Sequence, residues 1–424
     1  MTSASTREPI EKQQLDRLRQ MLEVIAAENA FYRCKVSQAR LQSINSLEEF
    51  HRLPFTTKSE LVTDQQQHPP FGTALTFPLE CYLRIHETSG TTGKPMYWLD
   101  TEESWNWWAE CWKLVFEAAG VGAGDRIFFA FSFGPFIGFW AGWEGARKLG
   151  ALAISGAAQS TAQRLRSILN YGATVLVCTP TYALHMASEA KQAGIDLAKG
   201  SAIKTTIHAG EPGASISSTK KLIEESWGAK CHDHAGATEV GAFGFECQAQ
   251  PGGIHVNENE FIVEFIDPRT QQRAEIGTKS ELVITNLGRI GSPVIRYRTG
   301  DLVQPSLEPC LCGRPFILLE GGVLGRADDM IIVRGVNVFP SAVENVLREF
   351  PEIEEFRVEI TAREAMQEIR LILEPAANVT ALQDLAGRVG QRMRERIRLR
   401  PQVELVAPGT LPRFELKAKR FYKI

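Results

Sequence analysis

Within eight positions, Thr88-Ser89-Gly90-Thr91-Thr92-Gly93-Lys94-Pro95, the chain gathers two glycines, three hydroxyl side chains beyond Thr88, and one lysine. Glycine lets a backbone turn sharply and aim its N–H groups into one concavity. Hydroxyls add donors and the lysine adds a point charge, so the octet is equipped to hold a polyphosphate. For the glycines and hydroxyls alone, a flexible turn is the plainer alternative. The Gly-x4-Gly-Lys-[Ser/Thr] spacing is missing, so the loop is not of the Walker A type.

A second group suits a metal ion. Pro309-Cys310-Leu311-Cys312-Gly313 is a tight Cys-x-Cys turn, and Cys247 and His255 lie upstream. Three thiolates and one imidazole fit a closed, tetrahedral, structural zinc site. His232 and His234 compete with His255 for the fourth place. Two buried cysteines without metal are the alternative.

The octet resembles the phosphate loop of the adenylate-forming superfamily, which comprises acyl-CoA synthetases, adenylation domains and luciferases. Four further segments resemble that family in the family's order. His234-Ala235-Gly236-Ala237-Thr238-Glu239 resembles the adenine-holding segment that ends in a metal-binding Thr-Glu pair. Tyr297-Arg298-Thr299-Gly300-Asp301 resembles the ribose-binding motif. Gly325-Arg326-Ala327-Asp328-Asp329-Met330 resembles the hinge, and the run from Arg334 to Pro340 resembles a loop that swings into the active site. The length and the hinge-plus-loop run look most like the phenylacetate–CoA ligase branch, and the likeness covers roughly residues 80 to 420.

The resemblance implies ATP, Mg²⁺ and coenzyme A as cosubstrates and cofactors, and assigns roles by position. Ser89, Gly90, Thr91, Thr92, Gly93 and Lys94 would hold the phosphates. Gly236, Ala237 and Glu211 would lie at the nucleotide. Thr238 and Glu239 would be catalytic, with Glu239 as the Mg²⁺ ligand, hard oxygen chemistry that suits this ion. Asp301 and Arg326 would bind the ribose, Asp328 would be the hinge, and Arg334 and Gly335 would line the thiol channel. Lys417, within Arg413-Phe414-Glu415-Leu416-Lys417-Ala418, occupies the place of the catalytic lysine. The sequence departs from the family pattern twice: Ala235 stands where a tyrosine commonly stacks on adenine, and Leu416 where glycine commonly precedes the lysine.

These residues must be carried by ordinary elements. Residues 10–33 read as one amphipathic helix. Residues 126–132 and 174–178 read as buried strands followed by helices that end near Leu149 and Ala193, an alternation that argues for βαβ units. After residue 330 the pattern changes to strand, helix, two strands, helix, strand, the order of a ferredoxin-like module. Ser341 and Glu344 there have the spacing of a capping box. The expected organisation is therefore a large α/β N-terminal domain with mixed or parallel sheets, residues 1–327, and a small α+β C-terminal domain, residues 328–424. The resemblance implies an acyl pocket beside the adenine segment, with Phe131, Phe133, Phe136, Phe139 and Trp140 as candidate lining residues together with Ala209, Gly210 and Glu211. Helical spacing makes core packing the safer reading of Phe136, Phe139 and Trp140, and of Trp105, Trp107, Trp108 and Trp112.

The 424 residues are 44% hydrophobic and 23% charged, ordinary for a globular protein, with a formal net charge of −3. No broad positive field draws nucleic acid or an anionic membrane. No apolar run is long enough to span a bilayer. The start of the chain lacks the layout of a signal peptide. A cytoplasmic protein with its eight cysteines reduced is expected. The leading expectation is a ligase that activates a small, aromatic carboxylic acid as its adenylate and passes it to coenzyme A. Loading a carrier-protein phosphopantetheine is the close alternative, and a non-catalytic nucleotide- or zinc-binding protein the distant one. A homodimer is suggested by resemblance only.

Overall fold

Short apolar runs build the largest sheet in the computed structural model, which describes residues 4–88, 96–134, 137–327, 331–333, 336–363, 366–377, 379, 381–414 and 419–424. Leu152–Ser155, Arg126–Phe129, Val175–Cys178, Thr205–His208 and Lys230–Ala237 lie side by side and parallel. The helices Ile137–Leu149, Thr161–Asn170, Pro180–Gln192 and Ser217–Trp227 connect them. Beyond Lys230–Ala237 the sheet turns antiparallel through Gly241–Phe245, Gly253–Val256, Leu318–Glu320 and Pro305–Ser306, giving nine strands among the described residues.

Alternation along a strand sends neighbouring side chains to opposite faces. Val175 and Val177 enter one core with Trp108, Trp112 and Phe129, whereas Leu176 and Cys178 enter a second core with Tyr182 and Trp227. The tryptophans of helix Glu102–Ala118 are all buried, as the packing reading expects. Phe131 stacks on Phe139 with ring centroids 3.8 Å apart, and Phe133 meets Trp140 at 4.5 Å. A separate antiparallel sheet of Phe261–Ile266, Ser280–Asn286, Tyr297–Val303 and Gly325–Arg326 carries the Tyr-Arg-Thr-Gly-Asp motif.

The C-terminal region has its own apolar core, from Val338 to Leu399, built on the antiparallel strands Ile353–Arg363 and Met366–Pro375 and the helices Pro340–Leu347 and Leu382–Ile397. Strands Ile331–Val333, Val336–Val338, Gln402–Leu405 and Phe421–Lys423 complete it. The fold is thus α/β with a large mixed sheet and a smaller C-terminal α+β domain.

Three local expectations need correction. The helix expected over residues 10–33 is two, Ala4–Glu28 and Ala30–Lys35, because the Asn29 side chain caps the second by accepting from Tyr32 N. The strand expected over residues 126–132 stops at Phe129. The capping box at Ser341 does not form: the helix starts at Pro340, the Ser341 hydroxyl donates to the Leu324 carbonyl, and Glu344 faces Arg348 and Arg420. Among the described residues, no helix is long and apolar enough to cross a membrane. All eight cysteines are free.

Candidate active site

The octet Thr88–Pro95 connects two antiparallel strands, Tyr82–Glu87 and Tyr97–Thr101. Its base is clamped where Thr88 N donates to Met96 O at 3.0 Å and Met96 N donates to Thr88 Oγ1 at 3.2 Å. Ser89, Gly90, Thr91, Thr92, Gly93 and Lys94 lie outside the described residues, as do Phe136, Asp328, Arg334, Gly335 and Lys417.

Thr238 and Glu239 sit in the turn between strands Lys230–Ala237 and Gly241–Phe245. A side chain that the sequence reading missed holds this turn. Arg289 Nη1 donates to Thr238 O at 2.6 Å, while its Nε and Nη2 grip Asp100 at 2.8 and 2.7 Å. Arg289 and Asp100 are fully buried, and the guanidinium lies 5.2 and 5.3 Å from the Trp98 and Trp108 rings. Since Asp100 belongs to the strand that follows the octet, one buried ion pair ties that hairpin to the Thr238–Glu239 turn. Asn286 Nδ2 adds a bond to Val240 O at 2.9 Å.

Glu239 is buried, and its carboxylate meets Lys58 Nζ at 2.9 Å. Lys58 opens the helix Lys58–Gln67, whose capping box joins Thr57 and Glu60. Thr56 fixes where that helix begins, because Thr56 N donates to Arg296 O and Arg298 N donates to Thr56 O, both at 2.9 Å. The helix start is therefore stitched to the strand that bears Asp301.

Asp301 pairs in register with Arg326, and Arg326 Nη1 lies 3.5 Å from Asp301 Oδ1. Gly300 between Thr299 and Asp301 has φ +74°, and a Cβ there would meet Arg326 Nη2 at 2.9 Å. The left-handed φ favours glycine there, whereas the Arg326 guanidinium, the end of a flexible side chain, can move aside. Tyr297, on the same strand, is buried, which pushes its phenol well above the ordinary range, and the charge of Glu239 acts in the same direction.

Ala235 is buried opposite Gly244. The preceding His234 donates from Nδ1–H to Gly244 O at 2.6 Å, and its ring lies 4.3 Å from Trp112. Burial pushes its imidazole down to about 4, so it is neutral near pH 7. Gly236 and Ala237 complete the strand. Glu211 follows strand Thr205–His208 and accepts from Thr181 N at 2.9 Å.

Away from this region, Cys247, His255, Cys310 and Cys312 come together, with their ligand atoms all within 4.8 Å of one another. Cys247 Sγ to Cys310 Sγ is 3.6 Å, and Cys312 Sγ to His255 Nε2 is 3.6 Å. A tetrahedron with zinc–sulfur bonds of about 2.3 Å has S···S edges of about 3.8 Å, close to this spacing. His255 Nδ1 faces Phe316 O at 3.3 Å, which leaves Nε2 turned toward the thiols. The donor set and spacing fit zinc. His232 and His234 are not in this cluster.

The C-terminal part, residues 335–423, matches the family model of the AMP-binding enzyme C-terminal domain. The chain is 31% identical to a phenylacetate–coenzyme A ligase of Thermus thermophilus over 96% of its own length and 95% of that protein's. A crystal structure of a 2-hydroxyisobutyryl-CoA ligase in the postadenylation state, in complex with 2-HIB-AMP, superposes with a TM-score of 0.91 at 30% identity, covering 97% of this chain and 89% of that one. With 2-HIB-AMP and CoA in the thioesterification state, the same ligase matches at 0.72 over the same coverage and identity. Sequence and fold agree, and the chain belongs to the phenylacetate–coenzyme A ligase family of AMP-binding enzymes.

Proposed function

We propose that this protein activates a small carboxylic acid with ATP, forming an acyl-adenylate and pyrophosphate, and then transfers the acyl group to coenzyme A with release of AMP. The observation that carries this reading is the tie between the phosphate-loop hairpin and the Thr238–Glu239 turn through Asp100 and Arg289. Such a tie fixes the two halves of a nucleotide-phosphate site relative to each other, and phosphoryl-type transfer depends mainly on positioning and electrostatics.

In this reading the octet from Ser89 to Lys94 holds the phosphates, and Asp301 accepts from the ribose hydroxyls beside Arg326. Gly236, Ala237 and the Glu211 loop border the base, with His234 and Trp112 behind Ala235. Glu239 and Thr238 would hold Mg²⁺, which neutralises phosphate charge when bound. Lys417 stabilises the charge that develops at the α-phosphate. Residues 328–424 reorient about Asp328 between the half-reactions, and Arg334 and Gly335 then line the thiol path. The zinc set braces the antiparallel end of the large sheet and takes no part in the chemistry. A cytoplasmic location, where ATP and coenzyme A are both present, is part of this reading.

Acid-dependent exchange of labelled pyrophosphate into ATP, run across a panel of aromatic and short branched acids, tests this reading. Free coenzyme A and a phosphopantetheinylated carrier are then compared as acceptors. The expected result is exchange with at least one acid and AMP release that needs coenzyme A. Exchange without thioester formation from coenzyme A would move the assignment to the carrier-loading alternative.

A further inference from the structure

Arg420 is only 5% exposed, although it lies four residues from the end of the sequence given. Within the C-terminal domain its Nε and Nη2 donate to the two oxygens of Glu355 at 2.7 and 3.1 Å, and Nη1 lies 3.4 Å from Glu344 Oε1. The same Nη1 crosses to the large domain and donates to Thr181 Oγ1 at 3.1 Å. Thr181 is in the first turn of helix Pro180–Gln192, and its own N–H is held by Glu211. The Glu211 carboxylate adds to the negative field at Arg420. Two neutral-donor contacts join the same surfaces, Ser188 Oγ to Glu354 Oε1 at 3.2 Å and Ser218 Oγ to Asn345 Oδ1 at 2.9 Å.

We propose that Arg420 is a positioning residue that docks the C-terminal domain onto Thr181 and the Glu211 loop for the adenylation half-reaction. The inference rests on the acyl-adenylate reading and adds to it the device that sets the domain arrangement. Charge-assisted hydrogen bonds are about twice as strong as neutral ones, and burial strengthens them further. Glu355 already orders the guanidinium, so little rotamer freedom is left to lose when Thr181 is met. Three peptide units separate Lys417 from Arg420, which keeps their Cα atoms within about 11 Å whatever the path between them. Pinning Arg420 therefore limits where Lys417 can go. Rotation of the C-terminal domain to admit a thiol would break the Thr181 contact while leaving the Glu355 pair intact.

The test separates docking from folding. Thr181→Val removes only the cross-domain acceptor, and Arg420→Lys keeps the charge but loses the fork. Both are made alone and in a Ser218→Cys/Asn345→Cys background, where the yield of that disulfide, read by peptide mass spectrometry, reports docking without any need for activity. Thr181→Val is expected to lower pyrophosphate exchange and disulfide yield about tenfold each, the scale of one hydrogen bond to a charged group. Thioester formation from supplied acyl-adenylate should change less than twofold, and Arg420→Lys should fall between wild type and Thr181→Val in disulfide yield. Equal losses in both half-reactions, or unchanged disulfide yield in Thr181→Val, would overturn the proposal. If wild type exchanges with no acid, the functional reading fails, and the disulfide yields still decide whether Arg420 docks the domains.

Discussion

Lys58 Nζ lies 2.9 Å from Glu239 Oε1, although 181 residues separate the two in sequence. A buried carboxylate without a partner is costly, and Lys58 offsets that cost; in the proposed reading Mg²⁺ also meets this carboxylate. Glu239→Gln is expected to raise the Mg²⁺ concentration for half-maximal pyrophosphate exchange by about tenfold, the scale of a lost charged contact. Lys58→Met should cost about 1 kcal/mol of stability or less, since Lys58 is one-third exposed. Magnesium titrations and urea unfolding check both, and an unchanged Mg²⁺ dependence in Glu239→Gln would remove Glu239 from the metal.

The Arg289–Asp100 pair has no exposed side-chain surface on either partner. Replacing one member strands the other charge, so Arg289→Met is expected to cost about 3–5 kcal/mol by urea denaturation. The double change Arg289→Met/Asp100→Leu should recover part of that stability. Exchange activity should stay low in the double variant, because the Thr238 carbonyl has still lost its donor. Recovery of both together would mean that the pair matters for the fold alone.

The family motifs could be read because they stand in contiguous residues, and the meeting of Cys247, His255, Cys310 and Cys312 is as expected. Lys58, Arg289 and Arg420 were not legible. Each acts on a partner 181, 189 or 239 residues away, and nothing local marks a distant acceptor. The only hint for Arg289 was a lone charge between the apolar residues Leu287 and Ile290. Local competition explains the misplaced boundaries. Asn29 spends its side chain on a cap that splits one helical pattern into two, and Ser341 gives its hydroxyl to Leu324 instead of to its own helix.

Zinc bound by Cys247, His255, Cys310 and Cys312 should appear as about one ion per chain in protein purified without chelator. Cys310→Ser or Cys312→Ser should lower zinc content and thermal stability together, because binding energy at a closed site is folding energy. Metal analysis that finds no zinc in stable, active protein would leave four packed side chains and no site.

Lys417→Ala should slow adenylation by at least about a hundredfold, the usual cost of losing one transition-state contact. Thioester formation from supplied acyl-adenylate should be nearly unchanged. Equal slowing of both half-reactions, followed in separate rapid-quench experiments, would take Lys417 out of the adenylation step.

The most direct measurement is a single turnover with excess enzyme, ATP, Mg²⁺ and an accepted acid, first without and then with coenzyme A. Two half-reactions at one site predict one pyrophosphate and one enzyme-held acyl-adenylate per ATP consumed, the adenylate identified by mass spectrometry. Adding coenzyme A should then release AMP and the acyl thioester in equal amounts. Formation of ADP and inorganic phosphate, or AMP release that ignores the acid, would contradict it.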